Sequence, residues 1–208
     1  MSRRDRAALT ALFALDAAMG DVVRSTSEPQ LGAIRLAWWR ERLEEMDEGV
    51  QAPAEPRLRA VQQLLLPRGI TGSALGEQAW AWQRLLEPFP WDCDHAQAMA
   101  VRGGSLFDHG ALIMRGPGER VELGGGIWAI VDAARHCSDA QSRELLLEEA
   151  GSLAPTSNCA VPPKLRSLSM LAALAIRDCK RGFPFEPEGT PARAAVMLRH
   201  RLSGRFPQ

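Results

Sequence analysis

Hydrophobic residues recur along this chain every three or four positions, which is the spacing of one face of an α-helix. The first such series runs to about Arg24 and contains Leu9, Leu12, Phe13 and Met19. After a break at residues 25–29, a second series contains Leu31, Ile34, Leu36, Trp38, Trp39 and Leu43. Runs that alternate between apolar and polar residues, as strands do, are absent from the sequence. The pattern therefore predicts an all-α protein.

Seven more segments carry the helical pattern, and proline or glycine, such as Gly118 and Pro155, separates nearly all of them. They are residues 57–66, 73–87, 93–114, 124–136, 140–151, 163–181 and 191–203. The three glycines at residues 124–126 are interpreted as a turn and a helix start, because a phosphate-binding loop would need a preceding strand and a lysine. We predict one domain of eight or nine helices over residues 1–208, in which residues 182–208 form a surface crossover and the last helix.

The tryptophans form two close pairs along the chain. Trp38 and Trp39 are about 100° apart around their helix, and Trp80 and Trp82 are about 200° apart. At most one ring of each pair can therefore face the core squarely. The rings are expected in the core or between helices, and the alternative is an aromatic surface for a membrane or a protein partner, with residues 88–91 as an exposed loop.

Composition narrows the classes of function. Basic and acidic residues number 25 each, so no bulk field favours a nucleic acid or an anionic membrane. No window approaches the ~18 to 20 apolar residues of a membrane span. Arginines ahead of the first apolar run imitate a secretion signal, but Asp16 interrupts that run. Reduced thiols in a cytoplasmic protein are expected, because no CxxC spacing occurs among Cys93, Cys137, Cys159 and Cys179.

Polar residues at the end of the first predicted helix carry candidate chemistry. Residues 20–24 read GDVVR, and the second helix contains the run RLAWWRERL. In this order the two helices resemble the opening of the squalene/phytoene synthase family. Its first helix carries the pattern DDxxD, whose carboxylates hold the Mg²⁺ ions that bind a prenyl diphosphate. The resemblance implies that Asp21 is the one carboxylate of three that remains, with Arg24 in the place of the third.

Residues 125–136 resemble the second active-site helix of that family, which reads approximately GxAxxLTNxLRD. Arg135 matches the arginine of this motif, Asp132 replaces the asparagine, and His136 stands where the aspartate belongs. The resemblance covers about residues 9–177 and implies a helical bundle of the isoprenoid synthase type in a shortened form. Such a bundle encloses a cavity that can take a prenyl chain or a lipid tail.

The segment VRSTSEP, followed by IRLAWWR, is similar to one branch of the family in particular. This branch includes a mitochondrial complex I assembly factor and its bacterial relatives, and its aspartate motifs are eroded. The resemblance implies a bacterial pseudoenzyme that is soluble in the cytoplasm or bound peripherally at the inner membrane.

Two kinds of candidate site residue follow. Mg²⁺ binding needs several converging carboxylates, for which Asp21, Asp132 and Asp139 are the catalytic candidates and the first two are the candidate metal ligands. Guanidinium groups can bind phosphate without a metal. The substrate-binding candidates are Arg24, Arg35, Arg40, Arg135, Trp38 and Trp128. The alternative is structural pairing of Arg24 with Asp21 and of Arg135 with Asp132, each three residues apart.

The leading hypothesis is a protein that binds a prenyl diphosphate, a lipid or a protein partner without catalysis. The alternative is an active head-to-head prenyltransferase acting on farnesyl or geranylgeranyl diphosphate, and only this interpretation requires Mg²⁺ as a cofactor. A helical scaffold without a small-molecule ligand is the third hypothesis. No nucleic-acid partner is expected, and contact with a membrane is expected to be peripheral at most.

Overall fold

The structure is a computed structural model that describes residues 1–116, 119–153 and 160–207, without the side chains of residues 119 and 120. Gly118, Pro155 and Cys159, which were considered above, lie outside these residues. Over the described residues the chain forms nine α-helices and no strand, which confirms the predicted all-α class. The chain divides into two compact units, Met1–Pro88 and Phe89–Gln208. The single domain inferred from the sequence stays a prediction.

The first unit contains four helices and a short 3₁₀ turn. They are α1 (Arg3–Ser25), α2 (Pro29–Asp47), α3 (Pro56–Leu64), the turn at Leu66–Arg68 and α4 (Gly72–Arg84). Proline opens α2 and α3, where its missing N–H leaves no helical hydrogen bond unmade. The core of this unit includes Leu12, Leu15, Met19, Leu36, Leu43, Leu58 and Leu75, all fully buried.

The second unit contains five helices arranged around α6. They are α5 (Cys93–Ile113), α6 (Glu119–His136), α7 (Ala140–Ser152), α8 (Arg166–Arg181) and α9 (Pro191–Ser203). Helix α6 packs against α5, α7 and α8, and α9 packs against α8. Side chains of Asp92, Asp139 and Thr190 accept hydrogen bonds from the free N–H groups that begin α5, α7 and α9.

Most predicted helix boundaries lie within a few residues of the observed ones. Helix α6 begins at Glu119 instead of residue 124, and the other differences lie near proline. Helix α3 ends at Leu64, two residues before a turn that contains Pro67. Helix α4 ends at Arg84 instead of residue 87, ahead of Pro88, and α8 begins at Arg166 instead of residue 163. Proline lacks the N–H that a helix interior needs, and it disfavours helical geometry in the residue before it.

The glycines at residues 124–126 lie inside α6, and the predicted turn at this position is wrong. A Cβ atom on Gly125 would stand 2.2 Å from the carbonyl oxygen of Gly103. A Cβ atom on Gly103 would stand 2.0 Å from the carbonyl oxygen of Gly125. The glycines are therefore needed for close helix packing, because any side chain here would overlap the backbone of the other helix.

Each tryptophan pair is divided between the core and the surface. Trp39 and Trp82 are buried, whereas Trp38 and Trp80 are exposed, so the expectation that the rings lie in the core or between helices is wrong for these two. The loop at residues 88–91, which the alternative of an aromatic surface would leave exposed, is only partly exposed, because Trp91 is buried and stacks on His95 at 5.8 Å between ring centroids. Phe89 is the exposed aromatic ring of that loop.

Cys93, Cys137 and Cys179 are free thiols, and burial raises the pKa of the Cys137 and Cys179 thiols. In the part of the chain that the structure describes, no helix combines the length and the hydropathy that a membrane crossing requires.

Asp47, at the end of α2, caps the start of α4. Its Oδ1 accepts a hydrogen bond from the Gly72 N–H at 2.6 Å, and its Oδ2 accepts one from the Ser73 N–H at 2.8 Å. Desolvation alone would raise the pKa of this carboxyl, but the backbone hydrogen bonds from Ser73 and Gly72 outweigh it and hold the pKa below its ordinary value.

We expect Gly103→Ala to lower the free energy of unfolding by about 3 kcal/mol or more, measured by urea denaturation. The new methyl group would overlap the Gly125 carbonyl oxygen, and a backbone atom cannot rotate away. Gly151→Ala in α7 is the matched control, because the nearest atom to its Cβ would be 3.7 Å away. Alanine is the better helix former, so the control should be neutral or slightly stabilising. Equal losses in the two variants would contradict the close contact of α5 and α6.

We expect Asp47→Asn to lower the free energy of unfolding at neutral pH by about 1 kcal/mol, a small effect because the carboxylate is exposed to solvent. A folded-state pKa below the unfolded value means that the stabilisation is fully present above about pH 4. It is lost as the pH falls further, so the wild type and the variant should converge in acid. Urea denaturation at several pH values tests this, with exposed Glu48→Gln as the control. A difference that did not change with pH would argue against the cap.

Candidate functional site

A cavity of about 340 Å³ lies within the second unit, where α6, α8, α9 and the loop before α9 meet. Its apolar lining includes Trp128, Leu171, Leu174 and Met197, and its polar lining includes Asp132, Arg135, Asp178 and Arg193. Ligand pockets typically measure roughly 300 to 1,000 Å³ and combine an apolar wall with a few polar groups. The cavity is therefore large enough for a small apolar chain that ends in a polar group.

Asp178, on α8, organises the polar side of the cavity. Its side chain is 2% exposed, and both of its carboxylate oxygens accept hydrogen bonds from Arg193 Nη1, at 2.7 and 2.6 Å. Arg135 donates to Oδ2 from Nε at 3.2 Å and from Nη2 at 2.9 Å. A buried carboxylate is stable only when such partners replace its lost hydration. Asp178 thus fixes the positions of two arginines in the cavity wall.

The loop before α9 is held against this cluster. The Glu186 carboxylate pairs with Arg177, and the Glu186 carbonyl oxygen accepts a hydrogen bond from Arg135 at 3.0 Å. The Thr190 hydroxyl first, and then Arg177, hold the pKa of Glu186 below its ordinary value. Glu186 is therefore ionised at neutral pH, and the loop that lines the cavity is tied to α6 and α8.

Three of the predicted site residues, Trp128, Asp132 and Arg135, meet at this cavity. They are spaced four and three residues apart on α6, which places them on one side of the helix. Arg135 binds Asp178, so the alternative pairing with Asp132 is not the one observed. Asp132 instead has its Oδ1 3.7 Å from Nδ1 of His136.

Asp139 lies beyond the end of α6 and caps α7. Its Oδ2 accepts hydrogen bonds from the Ser142 N–H at 2.8 Å and from the Ser142 hydroxyl at 2.7 Å. The Ser142 hydroxyl, followed by the backbone N–H, holds the pKa of Asp139 below its ordinary value. The Ser142 oxygen also accepts a hydrogen bond from the Trp91 N–H at 2.8 Å. Asp139 therefore binds groups of the protein itself.

The remaining predicted residues lie in the first unit. Asp21 and Arg24 form an exposed ion pair of 2.8 Å on α1, which is the pairing expected as the structural alternative. On α2, Arg40 pairs with Glu44 at 2.9 Å, Arg35 is exposed, and Trp38 packs edge-on against Trp39 at 5.3 Å. Among the residues that the structure describes, no three His, Cys, Asp or Glu side chains are grouped to hold a metal ion.

Sequence reasoning missed Asp178 and Arg193, the centre of the polar cluster. A signal for Asp178 is present in the sequence, because it continues the buried series of Leu168, Ala172 and Ala175 on α8. A charged residue at such a position needs a buried partner. Asp16 gave the same signal on α1, where it is buried and accepts a hydrogen bond from the Trp82 indole N–H at 2.9 Å.

Comparison with known protein families gives a match in the N-terminal part of the chain. The squalene/phytoene synthase family model matches residues 1–96. The match covers 96 of the 208 residues and supports membership of that family, whose helical isoprenoid synthase fold agrees with the all-α structure. No curated protein and no solved structure matches the chain.

We expect Asp178→Asn to lower the free energy of unfolding by about 3 to 5 kcal/mol, because it leaves the buried Arg193 and the partly exposed Arg135 charged and without this carboxylate. Denaturant unfolding measures the loss. Asp132→Asn is the control on the same cavity: Asp132 is partly exposed, and its charge faces His136 at 3.7 Å, so the loss should stay below about 1 kcal/mol. Similar losses in both variants would show that Asp178 does not organise the cluster.

Proposed function

We propose that this chain is a squalene/phytoene synthase-like binding protein that holds a prenyl or lipid chain with an anionic head and does not condense prenyl diphosphates. We further propose that the chain belongs to the branch of the family that resembles the complex I assembly factor, whose aspartate motifs are eroded. A cytoplasmic location is part of the same proposal. The observation that carries it is the ion pair of Asp21 with Arg24, at the position of the first metal-binding motif.

Arg24 opposes the binding of Mg²⁺ at Asp21. Mg²⁺ lies about 2.1 Å from a carboxylate ligand, and Arg24 Nη2 is 2.8 Å from Asp21 Oδ1. If Mg²⁺ bound the same oxygen while the pair is intact, the two cations would be about 4.9 Å apart at most. Even with the dielectric constant of water, charges of +1 and +2 at that distance repel by about 1.7 kcal/mol, or nearly twentyfold in affinity. A single exposed carboxylate has little affinity with which to offset this repulsion.

The Asp139 carboxylate is engaged by the protein, because it accepts two hydrogen bonds from Ser142. Asp132 Oδ1 lies 3.7 Å from His136 Nδ1, which is beyond hydrogen-bonding distance. Binding a metal at Asp139 would require its hydrogen bonds to be given up or shared. This supports a protein that binds its ligand through other groups.

The cavity of the second unit supplies such groups. Trp128, Leu171, Leu174 and Met197 offer an apolar wall to a hydrocarbon chain. Arg135 and Arg193 adjoin them and bind Asp178, and the carboxylates of Asp132 and Glu188 also line the cavity. The two guanidinium groups are the donors that an anionic head would contact through paired hydrogen bonds.

Thermal unfolding tests the proposal with farnesyl and geranylgeranyl diphosphates, each in Mg²⁺ and in EDTA. A ligand that binds the folded protein at 100 times its Kd adds about 2.7 kcal/mol of stability. For a chain of this size we expect a rise in Tm of about 5 to 10 °C. The rise should persist in EDTA, and diphosphate should not be released in either condition.

A variant that fills the cavity locates the site. Leu174→Trp should abolish the rise in Tm, because the larger ring would occupy the apolar part of the cavity. Leu123→Trp is the matched control, since Leu123 is an exposed residue of α6 away from the cavity lining. A rise that needs Mg²⁺, with diphosphate release that Asp21→Ala abolishes, would establish the prenyltransferase instead. No rise in any condition would favour the scaffold, and both results would contradict the proposal.

A further inference from the structure

The outer face of α9 carries two large apolar side chains in solvent. Leu198 is 60% exposed and Leu202 is 71% exposed, and they lie one turn apart. At 100° per residue the two leucines are about 40° apart around the helix. Arg201 lies about 60° from Leu198 on one side, and Arg199 lies about 100° from it on the other. A narrow apolar stripe is thus flanked by an arginine on each side.

The opposite face of α9 is fixed to the rest of the unit. Arg193 binds Asp178, and Nε2 of buried His200 is 2.8 Å from the Ser169 hydroxyl on α8. His200 Nδ1 is 2.9 Å from the Arg205 carbonyl oxygen, which holds the residues after α9 in place. Because these contacts determine the rotation of the helix, Leu198 and Leu202 cannot turn inwards while the unit is folded.

The charge around the stripe is entirely positive. The guanidinium groups of Arg199, Arg201 and Arg205 form no ion pair or hydrogen bond with a described residue, and residues 191–207 contain no aspartate or glutamate. The cations are therefore available to an external anion, and the segment attracts one despite the zero net charge of the whole chain.

We propose that the outer face of α9 binds the surface of a lipid bilayer that contains anionic phospholipids. An interfacial helix places leucines at the boundary of the acyl chains while flanking arginines contact phosphate groups in the same plane. A bilayer supplies both an apolar layer and dispersed negative charge, which matches a stripe flanked by cations better than an apolar surface alone would. This inference goes beyond the cavity ligand and uses different residues, so either can fail without the other.

Vesicle co-sedimentation of the full chain tests the inference, with phosphatidylcholine vesicles compared to vesicles that also contain phosphatidylglycerol. We expect binding to the mixed vesicles only, weakened by salt well above 0.15 M, where the Debye length falls below about 8 Å. Leu198→Gln with Leu202→Gln should reduce the partition coefficient at least tenfold, and Arg199→Gln with Arg201→Gln should do the same. Circular dichroism confirms that each variant remains helical.

The matched control uses two other exposed apolar residues of the second unit. Val101 is 52% exposed and Leu123 is 55% exposed, and the acidic residues Asp108 and Glu122 line the same groove. Val101→Gln with Leu123→Gln should leave vesicle binding unchanged, because those carboxylates repel an anionic surface. Equal binding to neutral and mixed vesicles, an equal loss in the control, or no binding to either vesicle would overturn the inference.

Discussion

Carbonyl oxygens of α5 and α6 occupy the space where side chains would stand at Gly103 and Gly125. Such close packing of the two backbones leaves little freedom for α6 to rotate about its axis, because rotation would press other side chains of α6 against the backbone of α5. Trp128 and Arg135 lie about 60 to 80° around α6 from Gly125. The glycine contact therefore also determines that these residues reach the cavity beside α8 and α9.

Four carboxylates among the described residues bind groups within the protein. Asp47 and Asp139 cap helices, Asp178 holds two arginines, and Asp21 pairs with Arg24. Exposed and buried carboxylates differ in how much they contribute to stability. The exposed pair on α1 contributes little to stability, whereas the buried cluster at Asp178 would be costly to break, because removal of one partner leaves a charge without compensation. The same kind of side chain thus has a minor role on one helix and a decisive one on another.

Helix α9 contributes to two different surfaces. Its inner residues Arg193 and Met197 line the cavity, and its outer residues Leu198 and Leu202 face solvent. A helix that packs on one side only can present such different faces because side chains a few positions apart point in different directions. The anchoring contacts of Arg193 and His200 keep the two faces distinct, so changes to one face can be tested without altering the other.

The sequence by itself determined the all-α class, most helix boundaries to within a few residues, the angular separation of each tryptophan pair and the position of Trp128, Asp132 and Arg135 on one side of a helix. All of these depend on the regular geometry of one helix, in which spacing along the chain determines direction. The tertiary structure decided that Arg135 binds Asp178, 43 residues away, that Arg193 completes the cluster from 15 residues away, and that the glycines of α6 pack instead of turning. Such partners lie on different helices, and periodicity within a helix carries no information about which residue of another helix will face it.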